Sequence, residues 1–308
     1  GYRTTARPLV LNTWEAVYFQ TDLDQLRRLA DTAAAIGVER FVLDDGWFGS
    51  RRDDHRGLGD WVVSREVWPD GLSPLVDHVK GLGMEFGLWF EPEMVNVDSD
   101  LVRAHPDWVL GPVAGVPLPS RHQHVLDLAN PDAFAHVLEA MSALVAQYGI
   151  DFIKWDHNRD LHEVVRTDGS GTDRPAVHAQ TGATYRLLDE RRRRQPGLDI
   201  GSCSSGGARV DLGVLERTDR VWTSDCNDAL ERVAIQRWTG LLVPPERMGT
   251  HIGPPTAHTT HRHLDLSLRM LVALGGHAGL EWDITTCSAD ELDALRAWSA
   301  LYRELRPL

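Results

Sequence analysis

The chain has 308 residues, a length that suits two ordinary domains or one large barrel of about 250 residues. Lysine and arginine number 32 against 45 aspartates and glutamates, and the resulting net charge of −13 disfavours binding to nucleic-acid phosphates. No apolar run reaches the roughly 18 residues of a membrane-spanning helix, so no membrane insertion is expected.

Short apolar runs alternate along the chain with longer segments of helical periodicity. Eight runs have the length and residue types of buried strands: Val10–Asn12, Phe41–Leu43, Glu85–Trp89, Phe152–Trp155, Leu198–Gly201, Arg220–Thr223, Met248–His251 and Ala278–Glu281. Between them, the clearest amphipathic helices are predicted over 23–36, 134–148 and 292–305. Strand–helix alternation implies right-handed βαβ units. Eight such units predict an α/β fold, a (β/α)8 TIM-type barrel, with residues 1–308 as a single domain.

Two arginine-rich stretches are predicted to be solvated. Residues 51–56 hold three arginines, two aspartates and a histidine, and are interpreted as an exposed loop after the second strand. The run Arg191–Arg194 is predicted to lie at a solvated helix end rather than to form a binding patch.

The residues that follow each predicted strand decide the chemistry, because a (β/α)8 barrel carries its active site at the carboxyl ends of its strands. Among the six ends compared, five present carboxylates: Asp44-Asp45, Glu91 and Glu93, Asp156, Asp225, and Glu281 with Asp283. Tryptophans accompany several of them. A rim of carboxylates and tryptophans favours glycoside hydrolysis, which needs one carboxylate as nucleophile and another as proton donor.

Asp156 and Asp225, after the fourth and sixth strands, are the candidates for this pair. Lys154 precedes Asp156 by two residues, so both side chains share one face of the strand. A nearby ammonium keeps Asp156 ionised, as a nucleophile requires. Asp225 is expected to lie where burial raises its pKa, so that it can donate a proton.

Four motifs in this order resemble the signatures of glycoside hydrolase family 36, the retaining α-galactosidases of the melibiase clan. They are Leu43–Phe48, Gly87–Met94, Lys154–Arg159 and Trp222–Asp225. The resemblance covers nearly the whole chain and implies that the barrel is catalytic. It also implies that the family's N-terminal β-sandwich and C-terminal β-domain are absent from this chain.

The resemblance implies roles for particular residues. Asp156 matches the nucleophile and Asp225 the general acid/base of the family. The substrate-binding residues implied are Asp44, Asp45, Trp89, Arg121, Lys154, Asn158, Cys203, Gly206 and Trp222. The implied reaction is hydrolysis of terminal α-linked galactose from melibiose- or raffinose-type oligosaccharides through a covalent galactosyl-enzyme, with no cofactor and no metal. His157 and Cys226 depart from the usual family residues, which bears on substrate preference more than on mechanism.

Several alternatives stay open. Galactosyl transfer, as in raffinose or stachyose synthesis, uses the same covalent intermediate, and attack on an α-N-acetylgalactosaminide needs only a roomier pocket. A barrel that only binds carbohydrate is the non-enzyme alternative. A metal-dependent hydrolase is disfavoured, although His258, His261 and His263 cluster, because His261 and His263 are predicted to open a helix, where a spacing of two does not face one ion.

The resemblance implies a small oligosaccharide as the partner. The net charge disfavours nucleic acid, no membrane partner is expected, and a homo-oligomer of the full-length protein stays open. Three cysteines, Cys203, Cys226 and Cys287, cannot all pair, which predicts a cytoplasmic protein.

Overall fold

The computed structural model describes residues 7–112, 117–167 and 172–307. The strands of this part of the chain are β1 (Val10–Asn12), β2 (Arg40–Leu43), β3 (Glu85–Phe90), β4 (Met94–Val95), β5 (His124–Val125), β6 (Phe152–Trp155), β7 (Val165–Thr167), β8 (Asp173–Pro175), β9 (Asp199–Ser202), β10 (Arg220–Trp222), β11 (Met248–Ile252) and β12 (His277–Leu280). The helices are α1 (Trp14–Val17), α2 (Leu23–Ala35), α3 (Ser73–Gly81), α4 (Asp100–Ala104), α5 (Pro131–Tyr148), α6 (Val177–Arg194), α7 (Leu212–Arg217), α8 (Ala229–Thr239), α9 (Leu266–Ala273) and α10 (Ala289–Leu305).

Eight parallel strands close into a barrel in the order β1, β2, β3, β6, β9, β10, β11 and β12, with β12 pairing back onto β1. The predicted (β/α)8 fold is therefore confirmed, and each predicted apolar run supplies one barrel strand. Two short antiparallel pairs, β4–β5 and β7–β8, lie after β3 and β6 and were not predicted. The strands β4 and β5 have two residues each, and β7 and β8 are mostly exposed, so neither pair carries the buried apolar run that marks a barrel strand.

Capping side chains fix where the longer helices begin. Asp22 accepts from the backbone N–H of Gln25 at the start of α2, and Asn130 caps α5 just before a proline at its first position. Ser288 and Glu291 form a capping box at the start of α10. These caps hold the helices in place around the barrel.

The main apolar core lies between the strands and the surrounding helices, whereas the barrel interior has only a small apolar layer. Val10, Val42 and Phe152 form that inner layer. A Cβ on Gly87 or Gly201 would come within 2.9 Å or 2.6 Å of the Phe152 ring, so glycine at these inward positions leaves room for it. The same space is also lined by the polar side chains of Asn12, Lys154, Arg220, His251 and Glu281.

The run Arg191–Arg194 lies at the end of α6, as predicted, but it is not uniformly solvated. Arg191 is fully buried and donates to the Ser142 hydroxyl at 2.7 Å, whereas Arg193 and Arg194 are exposed. Burial on one helical face separates the first arginine of the run from the last two.

No helix in the described residues has both the length and the apolar character needed to cross a membrane.

Candidate active site

A cavity opens at the carboxyl ends of the barrel strands. It encloses about 540 Å³, counting the part open to solvent, within the usual range for small-molecule sites. Its walls are formed by Trp14, Phe19, Asp44, Asp45, Arg51, Asp54, Trp89, Arg121, Gln123, Lys154, Asp156, Asn158 and Asp225. Eight of the eleven residues predicted for the site therefore line one cavity.

Asp44 and Lys154 form an ion pair at the cavity floor. The Lys154 ammonium lies 2.6 Å from an Asp44 oxygen, and both side chains are largely buried. Burial raises the pKa of Asp44 to about 6, although Lys154 acts in the opposite direction. The same carboxylate attracts protons to the amine, and the pKa of Lys154 lies well above its usual value despite burial. A cation is thereby fixed at the centre of the site.

Asp45 is held by Arg51, a residue that was predicted to lie in an exposed loop. That prediction is wrong for Arg51, which is 2% exposed. Its guanidinium donates to both oxygens of Asp45, at 2.8–3.1 Å, and to the Asn96 side-chain oxygen at 3.0 Å. Bidentate pairing of this kind fixes a carboxylate in orientation as well as in charge.

Asp156 lies at the end of β6 among hydrogen-bond donors. The Trp89 indole N–H donates to one of its oxygens at 3.1 Å, and the backbone N–H of His157 donates to the other at 2.9 Å. Burial alone would raise the pKa of Asp156, but the Lys154 ammonium and the hydrogen bonds hold that pKa below its usual value. The structure thus favours the ionised form of Asp156.

Asp225 follows β10 and lines the same cavity, but its pKa is shifted in the opposite direction. Desolvation raises its pKa, and the negative charge of Asp156 raises it further. The Trp222 indole N–H donates to Asp225 at 2.9 Å and partly opposes this shift. Two carboxyl groups on one cavity wall therefore have pKa values displaced in opposite directions.

Three residues predicted to bind substrate lie away from the walls of this cavity. Cys203 and Trp222 line a second space of about 330 Å³ inside the barrel. Gly206 has a positive φ of 84°, and a Cβ there would come within 2.6 Å of the Ser224 Cα. Cys203 and Trp222 share that second space with Lys154, and the Trp222 indole N–H donates to Asp225, so they adjoin the residues of the cavity wall.

Glu91 and Glu93 follow the same strand but have opposite electrostatic surroundings. Burial and the nearby Asp156 charge raise the pKa of Glu91 to about 8. Glu93 is equally buried, yet Arg209 pairs with it at 2.8 Å and the Trp155 indole donates to it at 3.0 Å. These partners outweigh burial and lower the pKa of Glu93 to about 2. Neither glutamate lines the cavity.

Arg121 reaches the cavity from a strained turn. Ser120 and Gln123 exchange backbone hydrogen bonds, and the two central residues, Arg121 and His122, have positive φ values of 51° and 61°. Such a turn normally takes asparagine and glycine, so these side chains impose local strain. The Arg121 guanidinium donates to the Asn158 side-chain oxygen at 2.9 Å, which fixes the turn against the end of β6.

The predicted histidine cluster is arranged differently from expectation. His261 and His263 precede α9 and do not open a helix, because the segment before Leu266 is a loop in which Thr256 and His263 form an isolated bridge. Within 7–112, 117–167 and 172–307, the group of side chains spaced to hold a metal ion is instead Asp54, His55 and His122.

Several cavity residues were missed by the sequence analysis: Trp14, Phe19, Arg51, Asp54 and Gln123. Gln123 is buried and donates to Glu91 at 3.0 Å, and Trp14 and Phe19 pack edge to face with ring centroids 5.1 Å apart. Trp14 stands two residues beyond β1, so a search of all eight strand ends offered a signal for it. The others lie in loops without a periodic pattern.

Comparison with known proteins identifies the family. A family model described as Melibiase matches residues 1–308. An α-galactosidase of Escherichia coli is 48% identical over 303 residues, covering 98% of this chain and 42% of that protein. The crystal structure of the GH36 α-galactosidase AgaA from Geobacillus stearothermophilus superposes with a TM-score of 0.95 at 40% identity, over 98% of this chain and 42% of the other.

A variant of AgaA in complex with raffinose is also similar, with a TM-score of 0.95 and 39% identity over 98% of this chain and 42% of that one. The chain spans about two fifths of the length of these relatives. The resemblance to glycoside hydrolase family 36 is confirmed, and this chain belongs to the Melibiase family.

Proposed function

We propose that residues 1–308 are the catalytic barrel domain of a retaining α-galactosidase that releases terminal α-linked galactose from raffinose-type oligosaccharides. The observation that carries this proposal is the pair Asp156 and Asp225, which line one cavity with pKa values shifted down and up respectively. Retaining hydrolysis needs an ionised nucleophile and a protonated acid, and the two pKa shifts favour these two states.

The reaction takes two displacements. The Asp156 carboxylate attacks the anomeric carbon from the β face while Asp225 gives its proton to the departing oxygen, which leaves a β-galactosyl ester on Asp156. Asp225, now ionised, then takes a proton from water as that water attacks from the α face. The ester bond breaks, galactose leaves with its α configuration, and both aspartates return to their starting protonation states.

The paired carboxylates Asp44 and Asp45 are proposed to hold the sugar hydroxyls. Each is fixed by its own cation, Lys154 or Arg51, so the two groups present acceptors in set directions. A sugar that lacks a hydroxyl in the matching orientation leaves a buried acceptor unpaired, which is the strongest form of discrimination between epimers. The complexes of AgaA variants with raffinose and stachyose support this class of ligand.

Hydrolysis of three aryl glycosides tests the substrate class. We expect the α-galactoside to be cleaved, the α-glucoside to be rejected and the α-N-acetylgalactosaminide to react slowly or not at all. NMR of the first product should show α-galactose. A preference for the N-acetylated sugar, transfer to an acceptor sugar without net hydrolysis, or β-galactose as first product would each replace the proposal with a named alternative.

Azide separates the roles of the two aspartates. In Asp225→Ala, azide needs no base and attacks the galactosyl ester from the α face, so α-galactosyl azide is expected. In Asp156→Ala, azide fills the space of the missing carboxylate and attacks the substrate itself, so β-galactosyl azide is expected. Asp160→Ala is the matched control, since its side chain is 77% exposed in the loop that follows Asp156. Reversed azide products would reverse the roles.

We also propose a cytoplasmic location. Cys203, Cys226 and Cys287 are free thiols, and Cys226 and Cys287 are partly accessible. Thiol titration of protein recovered from a cell fraction tests this: three titratable thiols after unfolding are expected, and a disulfide between any two would oppose a reducing compartment.

A further inference from the structure

The mouth of the cavity holds a cluster of side chains that the proposed reaction does not use. Asp54, His55 and His122 each offer a ligand atom, and these atoms lie within 4.8 Å of one another. The two imidazole rings face each other with centroids 3.8 Å apart. His55 Nδ1 lies 3.0 Å from an Asp54 oxygen. Asp54 itself forms part of the cavity wall.

The backbone beneath this cluster is held by a buried amide. Asn96 is fully buried, and its side-chain N–H groups donate to the backbone oxygens of Asp54 at 3.2 Å and His122 at 2.8 Å. The Asn96 oxygen accepts from Arg51 at 3.0 Å. One rigid group therefore sets the distance between two loops that are far apart in the sequence.

The strained turn adds a second constraint. His122 occupies the left-handed region with a φ of 61°, which places its ring against His55 while the preceding Arg121 enters the cavity. A non-glycine residue in this conformation is retained where the surroundings over-determine it, and such positions concentrate at ligand sites. Asp53 adds a further carboxylate, 3.6 Å from His55 Nδ1.

We propose that Asp54, His55 and His122 form a binding site for a first-row divalent cation such as Zn²⁺ at the cavity mouth. Two imidazoles and a carboxylate favour zinc, copper or nickel over magnesium or calcium. Donor atoms around a four-coordinate zinc ion lie roughly 3.4 Å apart, so ligand atoms within 4.8 Å need only rotations of exposed side chains. Three protein ligands leave the fourth position to water.

Occupancy is expected to hinder substrate entry, a consequence that rests on the proposed function. The ion takes the Asp54 carboxylate from the cavity wall and places a hydrated cation at the entrance. It touches neither Asp156 nor Asp225, so the site is inhibitory rather than catalytic. Zn²⁺ should raise KM and leave kcat nearly unchanged, and removal of metal by EDTA should preserve activity.

Calorimetric titration of the full chain with Zn²⁺ alone tests the site. The variants His55→Ala and His122→Ala are each expected to weaken one binding event at least tenfold, with Mg²⁺ unable to compete. The matched control is His162→Ala, which removes an exposed imidazole 3.5 Å from Asp160 and outside the cluster. Unchanged affinity in His122→Ala, or an equal loss in the control, would overturn the proposal.

Cobalt absorbance gives an independent readout. Co²⁺ bound by two imidazoles and a carboxylate should show visible bands in the wild-type protein and in His162→Ala but not in His122→Ala. Absence of such bands in the wild type would count against the site. Because both binding experiments need no substrate, they stay informative even if no α-galactoside is cleaved, and a KM insensitive to bound Zn²⁺ would overturn the inhibitory role.

Discussion

Charged side chains are arranged differently at the two ends of the barrel. At the amino ends of the strands, Arg40 lies 2.6–2.7 Å from both Glu85 and Asp199 and stacks over the Phe152 ring at 4.6 Å. At the carboxyl ends, the cavity wall carries five aspartates against three cations. At the first end, both carboxylates contact the Arg40 guanidinium directly. At the second end, Lys154 and hydrogen bonds lower the pKa of Asp156, whereas burial and the Asp156 charge raise that of Asp225, and acid–base chemistry requires such a difference.

Removing Arg40 should destabilise the amino end of the barrel and leave the candidate active site intact. Arg40→Met removes a buried guanidinium that contacts Asp199 and Glu85, and the expected loss is about 3 kcal/mol of unfolding free energy, measured in urea. The half-exposed Glu85 keeps the loss near the lower end of the range for broken buried pairs. Activity of the folded enzyme should change little.

Arg103→Met is the control for that experiment. Arg103 also contacts two carboxylates, Asp98 and Asp100, but all three side chains are more than half exposed. A much smaller loss is expected, because solvent screens an exposed ion pair. Equal losses in Arg40→Met and Arg103→Met would contradict a structural role for the buried pair.

The two lysines of the chain offer a direct test of the difference between the two ends of the barrel, because one lysine lies at each end. Lys154→Met should lower kcat roughly 10²–10³-fold, the loss typical for one preorganised charged donor. Loss of the ammonium also lets the pKa of Asp156 rise, so the acid limb of the pH–rate profile should move to higher pH. Lys80→Met, which removes a partner of Asp151 before β6, should leave both quantities unchanged.

Glu93 is a carboxylate near the carboxyl ends of the strands that, like Asp199 and Glu85, contacts a guanidinium directly, that of Arg209. Its pKa in the folded state is lowered from 4.5 to about 2, so it binds its proton less readily folded than unfolded. Its contribution to stability is complete above pH 4.5 and is lost as the pH falls through 4.5 to about 2. That displacement corresponds to about 3 kcal/mol.

Urea unfolding at pH 6, 4 and 3 tests this window. Glu93→Gln should unfold with a weaker pH dependence than the wild type, whereas Glu139→Gln, an exposed control, should follow the wild-type slope. Glu91 acts in the opposite sense. Its pKa is raised to about 8, so its contribution weakens as the pH rises from 4.5 towards 8. A wild-type slope in Glu93→Gln would show that Glu93 is not the group responsible.

The strands and the rim carboxylates could be predicted from sequence because each carries its own local signal. A buried strand is a short apolar run. Asp44 and Asp156 directly follow such runs, and Asp225 follows β10 after Thr223 and Ser224. The barrel topology then brings residues together that are far apart in the chain. Their placement needed no knowledge of loop paths.

Arg51 could not be predicted, because its surroundings come from elsewhere in the fold. In sequence it belongs to a charge-rich stretch, which usually means solvent, yet Asp45 and Asn96 bury it completely. Trp222 shows that a position at a strand end does not by itself decide which space a side chain lines. It stands at a strand end beside Asp225, yet its ring lines the space inside the barrel and contacts the cavity residue Asp225 through the indole N–H.

The smallest expected effect concerns the contact between Trp222 and Asp225. Trp222→Phe keeps a ring over the Arg232 guanidinium, 4.3 Å away in the wild type, but removes the indole N–H that donates to Asp225 at 2.9 Å. That hydrogen bond lowers the pKa of Asp225, so its loss should raise the pKa further.

Asp225, the proposed proton donor, would then stay protonated to higher pH. The alkaline limb of kcat/KM is expected to move up by roughly half to one pH unit, with less than a tenfold change at the optimum. Trp298→Phe is the matched control, because the Trp298 indole donates at 2.8 Å to the backbone oxygen of Met270, away from the cavity wall. A downward shift, or equal shifts in both variants, would mean that the alkaline limb does not report Asp225. The alkaline limb would then be set by another carboxyl group at the carboxyl end of the barrel.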